Sequence, residues 1–169
     1  MPVLRPDPPL VGDERSILNG FLDYYRATVE LKCEGLTPEQ LADRAVPPSS
    51  LSLLGLVRHM GEVERGWFRS FAGEPTQPCY YSTDDPDGDF DNADGDPGQV
   101  AEGFAFWRGE IEHAREIVAT ADLDATFTRA RDGSTFSLRW ILVHMIEEYA
   151  RHAGHADFLR ERIDGATGD

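Results

Sequence analysis

The sequence predicts an all-α fold, an antiparallel four-helix bundle, forming a single domain over residues 1–169. Three observations support this prediction. Four segments carry apolar residues three and four positions apart, the spacing that places side chains on one face of an α-helix. Turn-forming residues separate these segments, and only one short stretch favours strands. Long amphipathic helices joined in this way are typical of helix bundles.

The first long helix is predicted over residues 13–33, where apolar residues recur at helical spacing. A short helix should begin after Thr37, because threonine can cap a helix, Pro38 suits the first turn and Gln40 can complete a capping box. The second long helix is predicted over residues 50–71. His59 lies at the edge of its apolar stripe, which contains Leu53, Leu56, Met60, Val63, Trp67 and Phe71.

Residues 73–98 are predicted to be a solvated loop near the mouth of a site, because this acidic stretch has few apolar residues to bury. A calcium-binding loop starting at Asp85 is disfavoured, since Phe90 stands where such a loop requires glycine. The third long helix is predicted over residues 97–120. A turn at Asp132 and Gly133, with a short extended pair around it, should then precede the fourth long helix. That helix is expected to be capped by Ser137 and to continue to about residue 163, before Gly165 ends the pattern.

The composition excludes several classes of partner. A net charge of −15 argues against binding to nucleic acid or to an anionic membrane surface, since both require positive charge on the protein. No apolar run approaches the roughly 20 residues that span a bilayer, and the first residues do not have the pattern of a signal peptide. Cys33 and Cys79 are expected to be free thiols in a reducing compartment. We therefore expect a cytoplasmic protein.

A candidate metal site is indicated by Glu148 and His152, which lie four residues apart in the fourth helix and so project from the same face. Together with His59 from the second helix, they could bind a cation and leave one position open, as in catalytic zinc sites. Spacing alone also allows roles without a metal. Glu148 could extend to solvent or pair with Arg58, and the histidines could be hydrogen-bonded core residues.

Two further histidines lie near this candidate site in the sequence. His144 and His152 are eight residues apart on one helix, a rise of about 12 Å, so they cannot share one ion. His144 and His155 are therefore predicted to line the site. A ferritin-like di-iron centre is disfavoured, because only one Glu-x-x-His motif occurs, at residues 110–113. Gly55 and Gly66 lie on the same side of the second long helix as His59, and could leave room for substrate or for close helix packing.

Two segments, SLLGLVRHMGEVERGWF and LRWILVHMIEEYARHAGHADFLRER, resemble the DinB-like superfamily of metal-binding four-helix bundles. A glutamate at position 148 is similar to the branch of mycothiol-dependent maleylpyruvate isomerases and mycothiol S-transferases. This resemblance implies that His59, Glu148 and His152 are the metal ligands. It implies a divalent ion, zinc first, although nickel and iron also accept these ligands.

The resemblance further implies a thiol S-transferase, whose substrates would be a low-molecular-weight thiol such as mycothiol and an electrophilic small molecule. A metal-bound thiolate would attack the electrophile. Arg58, Arg151 and Tyr149 flank the ligands and are candidates for binding the thiol, and a homodimer is expected. The alternatives are a non-catalytic, metal-stabilised bundle that binds a small molecule in a stress response, and a metal-dependent hydrolase.

Overall fold

Helices account for most of residues 3–168, the part of the chain that the computed structural model describes. The class is therefore consistent with the predicted all-α fold. The helices are α1 (Glu14–Cys33), α2 (Pro38–Ala42), α3 (Leu53–Glu64), α4 (Ser70–Ala72), α5 (Gly88–Asp91), α6 (Pro97–Thr120) and α7 (Leu138–Asp164), with a π-helical turn at Arg65–Arg69. The strands are β1 (Thr126–Thr128) and β2 (Thr135–Ser137).

The predicted helix ends are confirmed where a capping side chain or a terminal glycine defines them. Thr37 accepts a hydrogen bond from the backbone N–H of Gln40, and the Gln40 side chain accepts one from the N–H of Thr37. At the start of α7, the Ser137 side chain accepts a hydrogen bond from the N–H of Trp140. Gly165 ends α7 with a φ of 78°, a left-handed conformation that glycine adopts without steric cost.

The predicted second helix is less regular than its apolar stripe suggested. It begins at Leu53, because the Ser52 side chain caps the N–H of Gly55. After Glu64 the chain makes the π-helical turn and then the short helix α4, which ends at Gly73. A π-helical turn widens the helix locally, and such turns are frequent at functional sites.

The long helices pack in pairs. Helix α1 lies along α7 and α3 lies along α6, while α3 also contacts α7 and α1. Within the described residues 3–168, no helix is both long enough and apolar enough to cross a membrane. The largest fully buried side chains of this core are Trp107, Tyr149, Phe68, Leu22, Leu53, Leu54, Leu56, Met60, Leu138, Ile141, Leu142 and Met145.

A buried polar network connects all four long helices. Arg26 of α1 donates two hydrogen bonds of 2.8 Å to the carboxylate of Glu64 in α3. Tyr149 of α7 donates to the same carboxylate, and Trp107 of α6 donates to the Tyr149 hydroxyl, each over 2.8 Å. Burial alone would lower the pKa of Arg26, but the charge and hydrogen bonds of Glu64 outweigh it and raise that pKa. The guanidinium therefore stays ionised in the core.

The loop over residues 73–98 is more ordered than its composition predicted. It contains α5, which packs against α3. Two side chains of α3 explain this order: Glu62 accepts hydrogen bonds from the backbone N–H groups of Cys79 and Tyr80, and Arg58 donates to the carbonyl of Gly88. The acidic loop is thus attached to the helix that carries His59.

The extended pair is confirmed as an antiparallel hairpin, with Phe127 opposite Phe136. Gly133 in the connecting turn has a φ of 72°, as the predicted turn requires. The two phenylalanine rings stack with centroids 5.6 Å apart, and Phe136 also contacts Trp67 and Trp140. This aromatic contact holds the hairpin against the π-helical turn.

Candidate metal centre

The structure brings His59 of α3 together with Glu148 and His152 of α7. One candidate ligand atom from each side chain lies within 4.8 Å of the other two. The ring centroids of His59 and His152 are 4.9 Å apart, and Nε2 of His152 lies 3.7 Å from Oε2 of Glu148. Two imidazoles and one carboxylate at this spacing match the ligands of catalytic zinc sites with three protein ligands.

The electrostatic state of His152 suits metal binding. Its pKa is lowered to about 4, first by burial and then by the neighbouring His59 and His155. The imidazole is therefore neutral near pH 7, and an unprotonated nitrogen is what a metal ion requires. Nδ1 of His155 lies 3.3 Å from Nδ1 of His152, so His155 contacts the ring on the side away from Glu148.

Asp89 of α5 contacts the imidazole of His59, and the sequence did not predict this contact. Its Oδ2 lies 2.7 Å from Nδ1 of His59, and its side chain is almost fully buried. The ring of Phe90 packs against the same imidazole, with centroids 4.9 Å apart. A carboxylate at Nδ1 favours the tautomer with its proton there, which leaves Nε2 free to bind a metal.

Replacing Asp89 with alanine should weaken metal binding by about 10–100-fold, the usual effect of removing a carboxylate that orients a histidine ligand. Competition against a chromophoric chelator would measure the affinity. Asp84→Ala is the matched control, since Asp84 is an exposed aspartate of the same loop. Equal affinities for the two variants would show that Asp89 does not orient the ligand.

His144 approaches Glu148 from the side away from His152, as expected for two histidines eight residues apart on one helix. Nε2 of His144 lies 3.5 Å from Oε1 of Glu148, and Nδ1 lies 3.4 Å from Oε2 of Glu147. The two carboxylate oxygens of Glu148 therefore face different histidines, one toward each end of α7. The ring of His144 stacks on Trp140 with centroids 4.9 Å apart.

The three candidates for binding the thiol have protein partners in the structure. Tyr149 follows Glu148 by one residue, about 100° around the helix, so its hydroxyl lies in the buried polar network. Arg58 is buried, donates to Gly88 and stacks on the ring of Tyr80 with its guanidinium carbon 4.2 Å from the centroid. Arg151 pairs with Glu147 at the exposed surface of α7. Helix geometry and loop contacts determine these directions, and adjacency in sequence did not predict them.

A scan against protein-family models matches the mycothiol-S-transferase family over residues 17–165. The chain belongs to this family. The mycothiol-S-transferase family is part of the DinB-like superfamily, so the resemblance found in the sequence is confirmed. Residues 17–165 include α3 and α7, the two helices that carry the candidate metal ligands. Neither the curated proteins nor the solved structures that were searched contain a match to the chain.

Proposed function

We propose that the protein is a metal-dependent mycothiol S-transferase, which joins the sulfur of mycothiol to an electrophilic small molecule. The observation that carries this proposal is the meeting of His59, Glu148 and His152 in a chain of the mycothiol-S-transferase family. In the reaction the S–H bond of the thiol breaks, the proton passes to solvent, and the sulfur forms a bond to an electrophilic carbon. A leaving group departs, or the adduct takes up a proton.

His59, Glu148 and His152 would hold the metal ion. Zinc is our first assignment, and nickel and iron are alternatives, because all three accept imidazole and carboxylate ligands. When bound, such a cation lowers the pKa of a thiol and offsets the charge of the thiolate. With two neutral imidazoles and one carboxylate, the ligand set retains a net charge of about +1 around a divalent ion, which favours an anionic sulfur.

The remaining residues around the site hold these ligands in place. Asp89 fixes the ring of His59 through Nδ1, and Phe90 covers one side of that ring. Burial keeps His152 unprotonated across the physiological pH range. Metal binding at His152 therefore does not require this imidazole to lose a proton.

We also infer that α1, α3, α6 and α7 form an antiparallel four-helix bundle. The pairing of α1 with α7 and of α3 with α6 supports this arrangement, as does the buried network with one member from each helix. We further expect a homodimer, and light scattering of the purified protein would measure its mass in solution.

The function can be tested with mycothiol and monochlorobimane, an electrophile whose thiol adduct is fluorescent. We expect adduct formation well above the rate without protein, loss of this activity after treatment with a chelator, and recovery when zinc is added. Turnover of an electrophile without any thiol would instead support a hydrolase. Saturable stabilisation by mycothiol, with no turnover of several electrophiles, would support a non-catalytic binding protein. Either of these last two results would overturn the proposal.

A further inference from the structure

A second group of side chains that can ligate a metal lies on α7, next to the candidate metal centre. One atom each from His144, Glu147 and Glu148 lies within 4.8 Å of the other two. Helix geometry explains this grouping, because residues three and four positions apart on an α-helix project from the same face. Glu148 belongs to both groups, so its carboxylate links this cluster to the candidate metal centre.

The separations at His144 resemble those of ligands around one ion more than those of hydrogen bonds. Nε2 of His144 lies 3.5 Å from Oε1 of Glu148, and Nδ1 lies 3.4 Å from Oε2 of Glu147. An N–H···O hydrogen bond spans about 2.7–3.2 Å. Two ligand atoms of a tetrahedral zinc ion, each about 2.1 Å from the metal, are about 3.4 Å apart. A cation between Nε2 and the carboxylate of Glu148 would therefore require little movement of either side chain.

His113 on α6 shows the contrasting arrangement. It also lies beside two glutamates, but its Nε2 is 2.8 Å from Oε2 of Glu74, which is hydrogen-bond distance. The same oxygen accepts a hydrogen bond from Arg69. The second neighbour, Glu116, is largely exposed, and its Oε2 lies 3.8 Å from Nδ1 of the ring. The protein itself therefore bonds to His113, whereas the carboxylates around His144 stand at ligand spacing.

Negative charge lies on two sides of the imidazole of His144, since Glu147 faces Nδ1 and Glu148 faces Nε2. The protein cation that competes for this charge is Arg151. It pairs with Oε1 of Glu147 and leaves Oε2 directed at the imidazole. Both partners of that pair are about half-exposed, and exposed ion pairs add little stability. A divalent ion can therefore compete with Arg151, and the half-exposed Glu147 side chain can turn toward it.

Two tryptophans hold the imidazole of His144 in place. Its ring stacks on Trp140 with centroids 4.9 Å apart, and it meets the edge of Trp67 with centroids 4.8 Å apart. Arg129 reaches Trp67 with its guanidinium carbon 6.0 Å from the ring centroid, but its charge is paired with Asp132. A ring that is already packed loses little further rotamer freedom when it binds an ion. These contacts also make tryptophan fluorescence a reporter of binding at His144.

We propose that His144, Glu147 and Glu148 form a second divalent-metal site, which shares the carboxylate of Glu148 with the candidate metal centre. Oε1 of Glu148 faces His144 and Oε2 faces His152, so this carboxylate bridges two ions, one at each histidine. The imidazole selects zinc, cobalt or nickel over magnesium and calcium, which prefer oxygen ligands. Two cations on one carboxylate repel each other, so each ion weakens the binding of the other by the same factor.

Titration of the metal-free protein with cobalt tests the proposal. We expect two equivalents to bind, the second at least about tenfold more weakly, with quenching of tryptophan fluorescence in the second step. His144→Ala should lose the second step and keep the first. His113→Ala is the matched control, since His113 is also a half-buried histidine beside a glutamate, and it should keep both steps. Equal affinities of these two variants for the second ion would overturn the proposal.

Glu147→Gln removes a ligand from the second site and leaves the three candidate ligands of the first intact. We expect the affinity for the second ion to fall by about tenfold or more, since losing a residue that only orients a ligand already costs about 10–100-fold. The affinity for the first ion should not change. Glu161→Gln, on the exposed surface of α7, is the control. Equal second-ion affinities for the two variants would refute the proposed ligand set.

His59→Ala separates the second site from the candidate metal centre. It should lose the tightly bound equivalent and keep the weak one, because His144 and both glutamates remain, and dialysis should remove that weak ion. A large excess of magnesium should not displace the remaining cobalt. Displacement by magnesium would show general attraction to an acidic surface, and loss of both equivalents would show that no second site exists. Either result would overturn the proposal, and none of these measurements depends on transferase activity.

Discussion

Alanine at His59 or at Glu148 is expected to abolish stoichiometric metal binding and transferase activity. Each change removes one of the three proposed protein ligands, and the two that remain should bind a divalent ion much more weakly. Because the loss of a partner that only orients a ligand already costs about 10–100-fold in affinity or activity, we expect losses above about 100-fold here. Elemental analysis after dialysis, together with the monochlorobimane assay, would measure both effects.

His113→Ala is the matched control for these variants. His113 lies on α6, with Nε2 2.8 Å from Oε2 of Glu74, and it is not one of the three candidate ligands. We expect this variant to keep its metal and its activity, and all three variants to keep the helix content of the unmodified protein. Full metal content in both His59→Ala and Glu148→Ala would refute the ligand assignment.

Glu64→Gln is expected to cause the largest loss of stability among single substitutions that preserve side-chain volume. It would remove the buried counter-charge of Arg26 and leave only the half-exposed carboxylate of Asp23 as its partner. Breaking a buried ion pair costs about 3–5 kcal/mol. The same carboxylate accepts a hydrogen bond from Tyr149. The effect should therefore extend to contacts made by all four long helices. Urea denaturation would give the free energy of unfolding.

Glu30→Gln provides the comparison at the surface. Glu30 pairs with Arg108, whose side chain is largely exposed, and exposed pairs contribute about 0–1 kcal/mol. The double variant Arg26→Met/Glu64→Leu should recover much of the lost stability, because it removes both buried charges at once. Similar destabilisation by Glu64→Gln and Glu30→Gln would show that the buried pair has no special role.

Local sequence patterns predicted the helices well wherever a capping side chain or a terminal glycine defines an end. Thr37, Ser137 and Gly165 act through backbone groups within a few residues, so their effects are visible in sequence. The four-residue spacing of Glu148 and His152 is equally local, because helix geometry alone puts both on one face. The π-helical turn after Glu64 was not predicted, because the apolar residues keep helical spacing through that turn.

The sequence by itself determined the helical class, the helix ends that a capping residue or a terminal glycine defines, and the family, because each depends on spacing or motif along the chain. Only the tertiary structure decided that Asp89 contacts His59 and that Tyr149 points into the core. The physical reason is that these features join residues from separate elements. One acidic residue in a loop of several aspartates acquires a role only when the packing of α5 on α3 buries it beside an imidazole.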